Sequence, residues 1–226
     1  MKYIKKNVYL LENNIIRKEN VKENEVNIFK EIYPNNFISY SIDNKVILYK
    51  KFDGINLREW IDNKRYPLSK EYIKNIFDKM KDNIKKLHLL GIVHGDIKLS
   101  NFIYNEIKDE IYIIDFGYSH KNMDGYGIPK GTPDYCSPEL FNYIEYNNES
   151  YSYIGFKNDI WALGICLYYL YLLKFPFGNE LNEIINNIKS FYNNTNNYKY
   201  FMDMEYNIRD DIIKYLIHPD KRESLY

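Results

Sequence analysis

Only two cysteines, Cys136 and Cys166, occur in 226 residues. That density, with no C-x-x-C spacing, excludes a disulfide-stapled secreted scaffold and fits a reducing compartment, where both read as small buried residues. Net charge is also missing: 31 Lys and Arg balance 31 Asp and Glu. A diffuse attraction to nucleic acid or anionic lipid therefore has no basis, and any partner is recognised locally. The longest apolar run, IWALGICLYYLYLL at 160–173, is too short to span a bilayer and reads as a buried helix. MKYIKKNVYL is basic but lacks an apolar core and a small-residue cleavage site, so no secretory signal is visible. We expect a soluble, cytoplasmic protein with no membrane or nucleic-acid partner; composition is silent on oligomeric state. What is present, 45% hydrophobic residues, is enough to build a sizeable core.

Read in order, residues 2–12 (KYIKKNVYLLE) suit a strand, followed by a polar, Asn-rich link. Val26, Ile28, Phe29 and Ile32 repeat at helical spacing from about Val21, and Pro34 stops that helix. NFISYSI and KVILYKKF alternate as two strands around Asp43-Asn44, and Asp53-Gly54 marks a turn. A helix over 70–90 is predicted by the stripe Ile73, Ile76, Phe77, Met80, Ile84 and Leu87, with Ser69 as N-cap and Gly91 as its stop. FIYN and IYIID then read as two strands joined by a hairpin over 105–110, which returns Asp115 beside Asn101. The first fifty residues thus form a small α+β unit, and the rest is mainly helical. The Asn-rich segment 186–199 reads as a solvated connection.

Chemistry concentrates in HGDIKLSNFI, residues 94–103. Asp96, Lys98 and Asn101 place a carboxylate, a cation and an amide within six positions, the spacing of a phosphoryl-transfer loop. DFG at 115–117 adds a strand-end carboxylate suited to Mg²⁺, with a Phe to anchor it and a Gly to turn. GTPDYCSPE (131–139) and DIWALG (159–164) follow in order.

These four ordered motifs resemble the eukaryotic-type protein kinase family, over essentially the whole chain. The resemblance implies an α+β, two-lobed fold, with residues 1–52 as a small N-lobe and hinge and 53–226 as a helical C-lobe. It implies ATP and Mg²⁺ (or Mn²⁺) as cofactors and protein hydroxyls as acceptors. Carried over by position, Asp96 accepts the hydroxyl proton, Lys98 neutralises the transferring phosphoryl group, and Thr132 braces both. Asn101 and Asp115 hold metal. Asp159 ties the catalytic loop to the central helix, and Arg222 of HPDKRES (218–224) pairs with Glu139. Lys98 and the GTP of GTPDY are similar to the serine/threonine branch.

For the N-lobe, the helix ending before YPNN resembles the regulatory helix, making Glu25 the lysine-pairing glutamate. Counting back about twenty residues points to Lys5, with Lys6 beside it, as the phosphate-binding lysine; Arg17 and Lys18 compete but lie closer to Glu25. Tyr49 falls at the back of the adenine pocket, Lys50 to Phe52 in the linker whose backbone binds adenine, and Ile103 under the base. With Lys5 in that role, the chain would enter the sheet at its third strand, without the glycine-rich loop; no G-x-G-x-x-G occurs. The chain would likewise stop before a final helix. Gly95 stands where many members carry an Arg that a phosphorylated activation loop neutralises, so activity is expected not to need that phosphate. Two functions stay open: a serine/threonine kinase, or an impaired, pseudokinase-like binding or scaffold protein.

Overall fold

The first fifty residues reverse direction more often than their pattern predicts. A computed structural model describes residues 1–64, 67–121, 131–141, 155–193, 201, 204–217 and 222. In it the stretch expected as one strand is a hairpin, β1 (Lys2–Lys5) and β2 (Val8–Leu10), pairing Lys2 with Leu10 and Lys5 with Val8. Asn7, at φ 62°, makes the reversal. A 3₁₀ turn at Glu12–Asn14, with Asn13 and Asn14 both at φ 56°, then sends the chain back as β3 (Ile15–Lys18). Asn tolerates the left-handed region better than most residues, so these asparagines do what glycine does in other hairpins.

The helix α1 (Glu23–Ile32) follows, then β4 (Phe37–Ser41) and β5 (Val46–Lys50), giving a five-stranded antiparallel sheet in the order β1-β2-β3-β5-β4. The expectation of a sheet shortened to start at its third strand is thereby corrected: two strands precede β3, paired through main-chain hydrogen bonds that the alternation of residues 2–12 could not distinguish from one extended strand.

Beyond the connector, β6 (Ile55–Asn56) leads into α2 (Leu57–Asp62), capped by Asn56, whose side chain accepts the Glu59 N–H at 2.9 Å and donates to the Glu59 carboxylate. Gly54, at φ +117°, lies so close to β8 that a Cβ would stand 2.3 Å from the Tyr104 carbonyl oxygen, so no other residue fits there. Helix α3 (Lys70–Leu89) buries the expected stripe, and Ser69 Oγ accepts the Tyr72 N–H at 3.2 Å. Short β7 (Ile92–Val93), then β8 (Phe102–Asn105) and β9 (Glu110–Ile113), lie beneath the cleft; β6, β8 and β9 form one small sheet, and β10 (His120–Lys121) pairs with β7.

Helix α4 (Gly155–Leu172) is buried on nearly every side, as an all-round apolar helix must be. It packs on α3, and α5 (Leu181–Asn193) and α6 (Tyr206–Ile213) complete the helical lobe. Both cysteines are free and buried. Among the described residues, no helix is long and apolar enough to cross a membrane. Residues 122–130, positions 194–199 of the Asn-rich segment and 218–221, 223 and 224 of HPDKRES lie outside the described residues.

Candidate active site

The loop that carries Asp96 is held by one buried carboxylate. Asp159, near the start of α4 and fully buried, accepts the N–H of His94 at 2.9 Å and of Gly95 at 3.0 Å, and lies 3.0 Å from His88 Nε2. Two consecutive main-chain donors on one carboxylate fix the peptide that delivers Asp96. His94 is equally buried. Its Nε2 faces the Ile114 carbonyl at 3.2 Å, which can only accept, so the proton sits on Nε2 and Nδ1 receives the Asp96 N–H at 3.3 Å. Burial lowers the His94 pKa, opposing the carboxylates around it, so the ring is neutral. Gly95, at φ +78°, passes beneath the Tyr118 carbonyl; a Cβ there would stand 2.9 Å from that oxygen.

On this frame Asp96, Lys98, Asn101 and Thr132 meet. Thr132 Oγ donates to Asp96 Oδ1 at 2.7 Å and accepts from Lys98 Nζ at 2.9 Å, while Lys98 Nζ lies 2.7 Å from Asp96 Oδ2. Asn101 Nδ2 donates to the Asp96 carbonyl at 2.8 Å and more weakly to Oδ2 at 3.2 Å. The expected grouping of these four residues is present as geometry. Below it, Cys136 Sγ donates to the Thr132 carbonyl at 3.3 Å, and burial pushes this thiol up to about 12, so it is no nucleophile. Arg222 closes the lower lobe: its guanidinium meets both oxygens of Glu139, donates to the Lys157 and Ile217 carbonyls, and lies over Trp161.

From above, Lys18 and not Lys5 meets Glu25. Lys18 Nζ is 2.5 Å from Glu25 Oε1 and 2.7 Å from Asp115 Oδ1. The separation of only seven residues, which counts against this lysine in the sequence, is bridged because β3 ends at Lys18 and α1 begins at Glu23, so strand end and helix start lie side by side. Lys5 reaches the same carboxylate from β1, with Nζ 2.9 Å from Asp115 Oδ2. Burial works to raise the Asp115 pKa, but Lys18 and Lys5 together hold it well below the usual carboxylate range. Burial likewise opposes the charge on Lys18, and Asp115 and Glu25 outweigh it, so Lys18 stays protonated.

Asp115 itself sits at φ 72°, ψ 69°, and Phe116 turns the other way into the core, 5.6 Å from the His94 ring and 6.5 Å from that of Phe29 on α1. Asn24 donates to the Ser119 carbonyl at 2.8 Å, and the Tyr33 hydroxyl both donates to the Ile113 carbonyl and accepts the Ile113 N–H. Helix α1 is thus bolted to the segment around Asp115. None of Asn24, Tyr33, Ser119 or His88 stands out in the sequence, because their partners are main-chain groups or residues far away in the chain.

Between the lobes lies a cavity of about 470 Å³, within the range of small-molecule sites. Val8 and Ile16 line it from the sheet, Tyr49 and Phe52 from the connector side, Ile103 from below, and Lys18 and Asp115 at its polar end. Lys50 does not line it. Its N–H donates to the Asn36 carbonyl at 2.8 Å, its carbonyl accepts from Asn36 Nδ2 at 3.3 Å, and its side chain is exposed, because it still pairs with Ile15 as the last residue of β5. The Lys51 N–H is also committed, to the Asn14 carbonyl at 2.7 Å. The place expected of Lys50 belongs to Lys51 and Phe52.

The residues suit a hard divalent cation. Among the described residues no cluster of three or more His, Cys, Asp or Glu is arranged to hold a metal unaided. Asp115 and Asn101 instead provide two oxygen donors, the Asn101 amide nitrogen being turned to Asp96, and the Ile114 N–H donates to the Asn101 carbonyl, keeping the two residues adjacent. A partial oxygen set completed by phosphates and water is how Mg²⁺ is commonly held.

Comparison with known proteins follows the same lines. The chain is 32% identical over 184 residues to serine/threonine-protein kinase ksp1 of Schizosaccharomyces pombe, covering 78% of this chain and 37% of that protein. It is 31% identical over 180 residues to human serine/threonine-protein kinase Nek5, 76% of this chain and 24% of that protein. To human death-associated protein kinase 2 it is 28% identical over 198 residues, 83% of this chain and 51% of that protein. The chain thus spans about half the length of these relatives or less. The sequence profile described as "Protein kinase domain" matches residues 1–225, taking in the glycine-free hairpin as well as the loop that carries Asp96. On that match, the chain belongs to the protein kinase domain family.

Proposed function

We propose that this protein is a serine/threonine protein kinase that transfers the γ-phosphoryl group of ATP to hydroxyls of protein substrates. The observation that carries the reading is Asp96, whose carboxylate is held by Thr132, Lys98 and Asn101, and which Asn101 ties to the strand end that delivers Asp115 to the polar end of the cavity beside Lys18. Asp96 orients the acceptor hydroxyl and takes its proton as the new oxygen–phosphorus bond forms. Lys98 lies between Asp96 and Thr132, where it neutralises charge on the transferring group. Lys18, steadied by Glu25, faces the nucleotide phosphates. Ile103 and Val8 enclose the base, and main chain from Phe52 onward offers it hydrogen bonds. Asn101 and Asp115 would hold Mg²⁺ or Mn²⁺, which supplies charge neutralisation among the phosphate oxygens.

Residues 1–52 form the nucleotide-covering lobe and 53–226 the substrate lobe, in a cytoplasmic setting. Because Gly95 carries no cation at its place in the loop, activity does not require a phosphorylated activation loop; phosphatase treatment that abolishes activity contradicts this. The decisive experiment is radiolabel transfer from γ-labelled ATP with Mg²⁺ to casein and to a basic protein, with Asp96→Ala beside wild type. Equal transfer by both proteins sinks the assignment. A second reading, a kinase-like binding protein that transfers poorly, is favoured by the hairpin without glycine; tight MgATP binding without transfer supports it.

A further inference from the structure

Lys5 has lost the pairing with Glu25 that its sequence position suggests, yet its ammonium lies in the cleft. The hairpin it closes turns over two residues, Lys6 and Asn7, from the Lys5–Val8 pair. So short a turn presents no run of main-chain N–H groups around which phosphates could be cradled, and it contains no glycine to let phosphates approach the backbone. What it presents is a side-chain cation, 2.9 Å from the oxygen of Asp115 that Lys18 does not hold.

The two lysines differ in how firmly they are held. Lys18 has a second carboxylate, Glu25, and its side chain is 17% exposed; that of Lys5 is 51% exposed at the cavity mouth. A divalent cation taking Asp115 would compete directly with Lys5 for Oδ2, and would leave that ammonium beside the phosphates the cation binds. Resting on the kinase reading above, we propose that Lys5 is a phosphate-binding residue that exchanges Asp115 for the nucleotide's phosphate oxygens. It supplies from a side chain the anion contact that the hairpin backbone is too short to make.

Calorimetric titration tests this with wild type, Lys5→Ala, Lys5→Arg and Lys6→Ala against MgATP and against adenosine. Lys6 carries the same charge on the same turn. Lys5→Ala is expected to weaken MgATP roughly tenfold, the scale of one charge-assisted contact, while adenosine binding stays as in wild type. Lys5→Arg restores most of the MgATP affinity, and Lys6→Ala matches wild type. Unchanged MgATP affinity in Lys5→Ala overturns the proposal, as does an equal loss of adenosine, which would show that the hairpin only packs. Wild type that does not bind MgATP overturns the kinase reading and this role together; binding and transfer that are indifferent to Lys5 overturn this role alone.

Discussion

Asp96 and Lys18 stand in lobes built in opposite ways. Asp96 stands in a loop whose determinants are nearly contiguous, residues 94–101, closed by one buried carboxylate of α4. Lys18 stands on a strand reached through two reversals made by asparagines, and its geometry depends on where a separate helix puts Glu25. The helical lobe therefore carries a rigid, locally specified carboxylate cluster. The sheet lobe carries a charge network shared among Lys5, Lys18, Glu25 and Asp115, in which each member depends on the others. Perturbations should separate the two: abrupt loss with intact folding below the cleft, graded loss above it.

The largest effect is expected below. Asp96→Ala should lower phosphoryl transfer by about 10³-fold with an unchanged circular dichroism spectrum, since general-base catalysis is worth on that order. In the same lobe, Arg222→Ala leaves Glu139 without its partner and should cost about 3 kcal/mol in denaturant unfolding, because Arg222 is fully buried. Above the cleft, Lys18→Met should reduce kcat by about 10²-fold, the scale of one preorganised electrostatic contact. Glu25→Gln should lose less, because Lys18 keeps Asp115; equal losses would show that Glu25 is as indispensable as the lysine.

A pH series probes the shared network. The folded-state pKa of Asp115 is depressed, so its stabilising contribution is complete above its unfolded value of about 3.9 and disappears as pH falls through the folded value. Asp115→Asn should melt below wild type at pH 7, with the gap closing as pH drops beneath about 4; a gap constant down to pH 2 would contradict the ion-pair account. The smallest change expected is Gly95→Ala, at about 1 kcal/mol of stability from its left-handed backbone, with a further loss of activity as the Asp96 peptide shifts under Tyr118.

Sequence legibility divides along the same line. The helix capped by Ser69, the hairpin that returns Asp115 and the cluster of Asp96, Lys98, Asn101 and Thr132 could be read because periodicity and short motifs act over a few residues. Lys18 and the two strands before it could not. In KYIKKNVYLLE the alternation of a bent hairpin and of a straight strand is the same, and the turn is made by Asn7 where a glycine would have announced it. Lys50 fails as a pocket residue for a related reason: one more ladder pair, with Ile15, keeps it in the sheet.

By itself, then, the sequence determined the grouping of Asp96, Lys98, Asn101 and Thr132, the return of Asp115 beside Asn101 and the buried central helix, since those rest on contiguous motifs and local hydrophobic period. Tertiary structure alone decided which lysine meets Glu25, that Lys5 joins Lys18 on Asp115, and that Asn36 and Asn14 occupy the N–H groups of Lys50 and Lys51. Those outcomes depend on strand register and on the angle at which a helix meets a sheet. They are set by packing and main-chain hydrogen bonding across dozens of residues, where spacing along the chain is a poor measure of distance.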